Sequence, residues 1–217
     1  MLRAGYSAKK IASLRLSRPL IVALASLALF TGLPATAVSQ QLPSADQDAP
    51  RDNYWRNFAL GFGASILAHE TAHFLTAIAV GAHPYVGFDK GRPTVYSGID
   101  TDRHPHKQFL FSAAGLTTQA LINELILDIP HSRGSALERG ILAGGIGTTL
   151  FYITIGRNGS VSDISFMERT SSLSKTQLSL IFGGVSALHA WRVSRDPRYD
   201  HFFVRPTASG VAVGFSY

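Results

Sequence analysis

From Tyr54 onward the chain alternates long apolar segments with short polar ones, and the lengths of the apolar runs predict helices rather than strands. Phe58 to Ala82 is the longest, 25 residues in which only Ser65, His69, Glu70, Thr71, His73 and Thr76 are strongly polar. A helix of that length measures about 37 Å, enough to cross a bilayer with tilt. Pro84 is expected to end it. Pro84 to Gly98 alternates around Asp89-Lys90-Gly91 and predicts a β-hairpin with Gly91 supplying the turn. Three more helices are expected, at about Lys107 to Asp128 (closed by Pro130), Ser135 to Ile155, and Ser174 to Val193. His201 to Tyr217 alternates again, Val211, Val213, Phe215 and Tyr217 against Ala212, Gly214 and Ser216, and predicts a C-terminal hairpin around Thr207 to Gly210. The expected class is mainly α, a four-helix bundle with a small β-hairpin and a C-terminal hairpin.

Two features favour lipid as the solvent of this bundle. Gly140 and Gly144 make a G-x-x-x-G spacing in the third helix, followed by Gly145 and Gly147, and Gly183-Gly184 lies inside the fourth. Glycine destabilises a helix in water and is useful where helix backbones approach closely in a membrane. The apolar centres of the third and fourth helices, Ile141 to Ile155 and Leu178 to Trp191, are short for spans, so a soluble helical domain stays open as the alternative. Upstream, residues 1 to 37 read as a bacterial-type secretory signal peptide: basic positions through Arg18, an apolar run from Leu20 to Leu33, then Pro34 and Ala35-Thr36-Ala37. Residues 38 to 53 are polar and contain proline, a linker, and 54 to 193 form the helical domain ahead of the tail 194 to 217.

The net charge of +6 comes mostly from that leader, whose Arg3, Lys9, Lys10, Arg15 and Arg18 leave 15 basic against 14 acidic residues once subtracted from 20 and 14. A nucleic-acid partner is therefore not expected, since it needs a clustered basic surface. No cysteine is present, so a metal site would have to use histidine and carboxylate.

His69-Glu70-Thr71-Ala72-His73 supplies such a pair. Positions i and i+4 share a helical face, so both imidazoles can hold one ion while Glu70 addresses the water that the ion activates. Zinc acidifies such a water and polarises a carbonyl, and Glu70 would take the proton and pass it to a leaving amine. Two histidines and a glutamate amid apolar residues need partners in lipid or in a dry core.

Around this motif, Ala64 to Ile129 resembles the catalytic core of intramembrane site-2-type zinc metalloproteases. The match lies in A-x-x-x-A-H-E-x-x-H, the hairpin, then Ala114-Gly115-Leu116 in an apolar helix that carries Asn123. The resemblance implies a zincin-like, membrane-embedded endopeptidase that cuts a peptide or membrane-protein substrate in or near the bilayer, in contact with membrane lipid. Departures are Gly115-Leu116 where that family has Gly-Pro, and the lack of a verbatim Asn-Pro-Asp-Gly or Leu-Asp-Gly.

Two histidines and a water leave one protein ligand to find. Asp163, in Asn158-Gly159-Ser160-Val161-Ser162-Asp163, is closest to the family's aspartate motif by order along the chain. Glu124 is the rival, because Asn123-Glu124 with Asp128 is similar to the N-E-x-x-x-D segment of thermolysin-like proteases. Helix depth separates His73 and Glu124 by roughly 10 Å, which tilt can partly absorb, so both stay candidates. The reading is a Zn2+ metalloendopeptidase of the bacterial envelope, at the inner membrane. Its alternatives are a soluble periplasmic gluzincin using Glu124 and a non-catalytic helical protein with a structural metal. His83, His104, His106 and His189 are expected to be solvated or interfacial, and the hairpin can offer an edge for strand addition.

Overall fold

The computed structural model describes residues 51–89, 91–129, 134–196, 199, 202–207 and 210–215. The chain divides into Met1–Ser39 and Gln40–Tyr217, and every element below belongs to the second unit. The signal peptide and residues 38–50 of the linker lie outside the described residues. Arg51 to Asn53, read as the linker's end, form the first turn of helix α1 instead.

Helix α1 (Arg51–Ala79) is followed by strands β1 (Tyr85–Asp89) and β2 (Arg92–Tyr96), helix α2 (Pro105–Asp128) and helix α3 (Ala136–Ile153). A 3₁₀ turn (Ile155–Asn158), helix α4 (Asp163–Arg169), helix α5 (Lys175–Arg195) and strands β3 (Phe202–Thr207) and β4 (Gly210–Phe215) complete the order. The described part is thus mainly helical, with two separate antiparallel hairpins. Their registers centre on the turns expected from sequence, Asp89↔Arg92 around Gly91 and Thr207↔Gly210.

The end of α1 differs from expectation. The helix stops at Ala79, before Pro84, because Gly81 takes φ +76° and closes a Schellman motif, with Gly81 N–H donating to Ile78 O and Ala82 N–H to Ala77 O. Three of the other helices open on recognisable start signals. Ser135 accepts from Glu138 N–H at the start of α3, Pro105 occupies the first turn of α2, and Ser174 and Gln177 form a capping box for α5. Helix α4 is an element the sequence pattern did not suggest; seven residues are too few to show a period.

Helices α1 and α3 touch backbone to backbone. A Cβ at Gly61 would collide with Leu137 O, one at Gly140 with Phe58 O, and one at Gly144 with Ser65. The G-x-x-x-G spacing therefore serves this close approach. Apolar burial is split among three small clusters: Leu127, Leu142, Val193 and Tyr199; Leu116, Ile164, Met167 and Leu178; and Ala77, Val95 and Phe111.

Between them runs a buried polar seam. On α1 the fully buried positions are Gly61, Ser65, His69, His73 and Ala77, one every four residues. On α2 they include Gln108, Ser112, Gly115, Gln119 and Asn123. Meanwhile α1 turns Leu60, Leu67, Leu75 and Ile78 outward, each more than half exposed. This helix hides its polar line and shows its apolar sides, the reverse of a helix packed for water. Among the described residues, α2 is the one helix long and apolar enough to cross a membrane, so four spans are not established by length and composition.

Candidate metal centre

The site starts from the i, i+4 spacing of His69 and His73, which sets the imidazoles one turn apart, edge to face, with ring centroids 4.7 Å from each other. Each ring is then fixed through its Nδ1. His73 Nδ1–H donates to the Phe111 carbonyl oxygen at 2.7 Å, and a carbonyl can only accept. His69 Nδ1 meets Gln119 Oε1 at 3.0 Å. The Gln119 amide nitrogen faces Ser65 O at 3.2 Å, Ser65 Oγ at 3.1 Å and Thr148 Oγ1 at 3.3 Å. Since Ser65 O is an obligatory acceptor, the amide orientation is set, and His69 Nδ1–H must be the donor to Gln119.

Both tautomers follow. With hydrogen on each Nδ1, the neutral rings present lone pairs at Nε2, and these two nitrogens lie 3.0 Å apart. A third acceptor joins them. Asp163 Oδ2, from the first residue of α4, lies 3.2 Å from His69 Nε2 and 3.3 Å from His73 Nε2, and among the described residues it has no other hydrogen-bond partner. All three side chains are buried, at 1, 3 and 6% exposure. Three lone pairs converging in a dry place repel one another unless a cation or an extra proton lies between them.

The triangle of 3.0, 3.2 and 3.3 Å is close to the ~3.3 Å between ligand atoms of a tetrahedral ion with bonds of about 2.0–2.1 Å. The donor set fits a divalent metal, with two neutral imidazoles and one carboxylate. Burial alone would raise the Asp163 carboxyl; when the extra proton sits on the facing imidazoles, the charge at His73 and the N–H bonds from His69 and His73 outweigh burial and hold this group below the usual carboxylate range. It is therefore ionised, as a ligand must be.

The surroundings hold the rings in place. Tyr152 of α3 stacks on His69 at 5.5 Å and 13°. On α2, a Cβ at Gly115 would lie 2.5 Å from ring atoms of His69, so only glycine leaves room for the imidazole against that helix. Gln119, Gly115 and Tyr152 were not singled out as supports of His69. For Gln119 a signal existed, because it shares the stripe Gln108, Ser112, Gln119, Asn123; the other two need the tertiary fold.

A cavity of about 300 Å³ opens beside the triad, lined by Glu70, His73, Val95, Phe111, Tyr152 and Asp163 among others. Glu70, half-buried, accepts from Val95 N–H of β2 through Oε2 at 3.1 Å. The strand is pinned near this point, as Ser97 Oγ donates to Gln108 Oε1 at 2.8 Å and Gln108 Nε2 donates to Ser112 Oγ at 3.1 Å.

Of the two candidate third ligands, Asp163 joins the histidines and Glu124 does not. Glu124 Oε2 accepts from His189 Nε2 at 2.7 Å and Oε1 from Arg192 Nη1 at 2.7 Å, while Arg192 Nη2 also bonds Asp128. The ligand set of a gluzincin is accordingly not assembled. Glu124 instead holds His189, which is 2% exposed rather than interfacial. Its cationic partner is Arg192. His83, His104 and His106 are exposed.

No family model, curated protein or solved structure matches the chain.

Proposed function

We propose that the chain is a metal-dependent hydrolase of peptide bonds, with His69, His73 and Asp163 as ligands and Glu70 as general base. The observation that carries this reading is the meeting of three lone pairs, two with tautomers fixed from behind, next to a cavity that also receives Glu70. A bound divalent ion would acidify a water and polarise a carbonyl. Glu70 would take the proton from the attacking water and deliver it to the leaving amine. Zinc suits two imidazoles and one carboxylate at these separations.

The substrate we infer is an extended peptide segment, from a protein in or beside a bacterial envelope membrane. One wall of the cavity is formed by Thr94, Val95, Tyr96 and Ser97 of β2 and its continuation, a strand edge on which a chain can lie. Membrane embedding is supported by the inside-out surface of α1 and by the length of α2. In lipid, exposed Leu67 and Ile78 are in their own solvent, while the buried polar seam is shielded.

Glu70→Gln is the test. Hydrolysis of an unfolded protein such as β-casein by the zinc-loaded chain should fall by at least a thousandfold, roughly the effect of losing a general base together with its charge, with metal content unchanged. Activity that survives the substitution would remove Glu70 from the mechanism. Metal bound without any hydrolysis by the unsubstituted protein would assign the site a structural role.

A further inference from the structure

The hydrogen bond between Val95 N–H and Glu70 fixes more than the position of the hairpin. In an antiparallel pair, opposite residues alternate between exchanging both main-chain bonds and exchanging none. Val95 sits opposite Val86, and its N–H goes to Glu70 on α1, so Val86↔Val95 is a pair of the second kind. The main-chain groups of Val95 consequently face away from β1, along the outer edge of β2. Pro93, two residues earlier, lies in the same phase and has no N–H to donate, as expected of proline on an unpaired strand edge. The same stretch of β2 lines the cavity beside His73 and Asp163.

Glu70 is thus bound to the very N–H that a peptide added to this edge would use. While it accepts from Val95, its Oε2 is held against β2 by a charge-assisted hydrogen bond. An arriving strand would offer a carbonyl to the same donor. We propose that Val95 N–H is a specificity-determining group that couples substrate conformation to the availability of Glu70: a peptide that pairs with the edge of β2 takes this N–H for its own carbonyl and releases the Glu70 carboxylate into the cavity. Peptides unable to extend along β2 leave Glu70 on its latch. This rests on the reading of the triad as a hydrolytic metal site, and it adds a selection for main-chain geometry over side-chain identity.

The test follows the amide itself, so it needs no turnover. The full chain, labelled with 15N-valine and loaded with zinc in detergent micelles, is compared with Glu70→Ala by hydrogen exchange. Exchange at Val95 should accelerate at least tenfold in the variant, while Val86 and Val161 keep their rates. Two probes are then added, a decapeptide of alternating threonine and valine and the same peptide N-methylated at alternate positions. The unmodified peptide should restore slow exchange at Val95 in Glu70→Ala and, in the unsubstituted protein, shift the 13C signal of the Glu70 carboxyl; the methylated peptide should do neither. Unchanged Val95 exchange in the variant, failure of the unmodified peptide to protect Val95, or protection with no shift at Glu70 would each overturn the proposal. Zinc content of the same samples separates this outcome from the metal reading: a chain that binds no zinc but shows the exchange pattern loses the hydrolase and keeps the coupling.

Discussion

Two groups of ionisable side chains sit in this bundle, one partly exposed and one buried, and they are built on opposite principles. At the contact of α2 and α5, Glu124, Asp128, His189 and Arg192 satisfy one another, each carboxylate oxygen in the cluster's bonds meeting an N–H. At the contact of α1, α2 and α4, the Nδ1 hydrogens of His69 and His73 are spent on Gln119 and Phe111, and what remains in the middle is acceptors alone. A set closed within itself is explained by folding. One that leaves like lone pairs facing each other needs something from outside, and that is the physical content of a binding site. The same comparison shows why Glu124 was a reasonable candidate from the sequence. A glutamate in an apolar helix must have a partner, but burial does not say which.

The comparison breaks most readily at the ligands. If about 10–16 kcal/mol of metal affinity is shared among four ligands, each contributes about 3 kcal/mol, so His69→Ala, His73→Ala or Asp163→Ala should weaken zinc at least a hundredfold by competition with a chromophoric chelator. Glu124→Gln should leave that affinity within twofold. Its effect belongs to folding, a loss of about 1–3 kcal/mol by chemical denaturation, because Arg192 and His189 lose the charge and one acceptor oxygen of a partly buried carboxylate. Should Glu124→Gln release the metal as Asp163→Ala does, the division between the two clusters is wrong.

Smaller effects sharpen the contrast. Gly115→Ala pushes a methyl into the His69 ring and should cost roughly 10–100-fold in zinc affinity, with Gln119→Leu in the same range since it frees the ring to turn. Both should leave the α2–α5 cluster undisturbed, read from the His189 imidazole resonances. Gly140→Ala acts on both regions alike, separating α1 from α3 at a cost of about 1–3 kcal/mol in stability. Weakest is the proton count. Without metal the three acceptors share a proton, so zinc binding at neutral pH should release about one proton per chain and tighten as pH rises, measurable by calorimetry in buffers of different ionisation enthalpy.

Much of this was legible before any coordinates. The long apolar runs marked α1, α2, α3 and α5, and Gly91 marked the first turn. The i, i+4 histidines named two members of the buried triad, and chain order proposed Asp163 as the third. What could not be read has physical reasons. Gly81 ends α1 through its positive φ, a stronger stop than the proline three residues later. The short α4 that delivers Asp163 carries no periodicity of its own. The supports from Gln119, Gly115, Tyr152 and Val95 join residues 25 to 83 positions from their histidine or glutamate, and only packing brings them together. The polar line on α1 was visible as a few polar letters in an apolar stretch; that it is the buried side, with leucines outside, needed the neighbouring helices.

The central claim is that His69, His73 and Asp163 enclose one divalent ion. X-ray absorption at the zinc edge, on full-length protein equilibrated with one equivalent of zinc and then dialysed, tests it most directly. One ion per chain should be retained, with two imidazole nitrogens and at least one oxygen at about 2.0–2.1 Å, and the nitrogen signal should be lost in His69→Ala/His73→Ala. An unsubstituted chain that retains no ion, or one whose imidazole signal survives that double substitution, would contradict the claim.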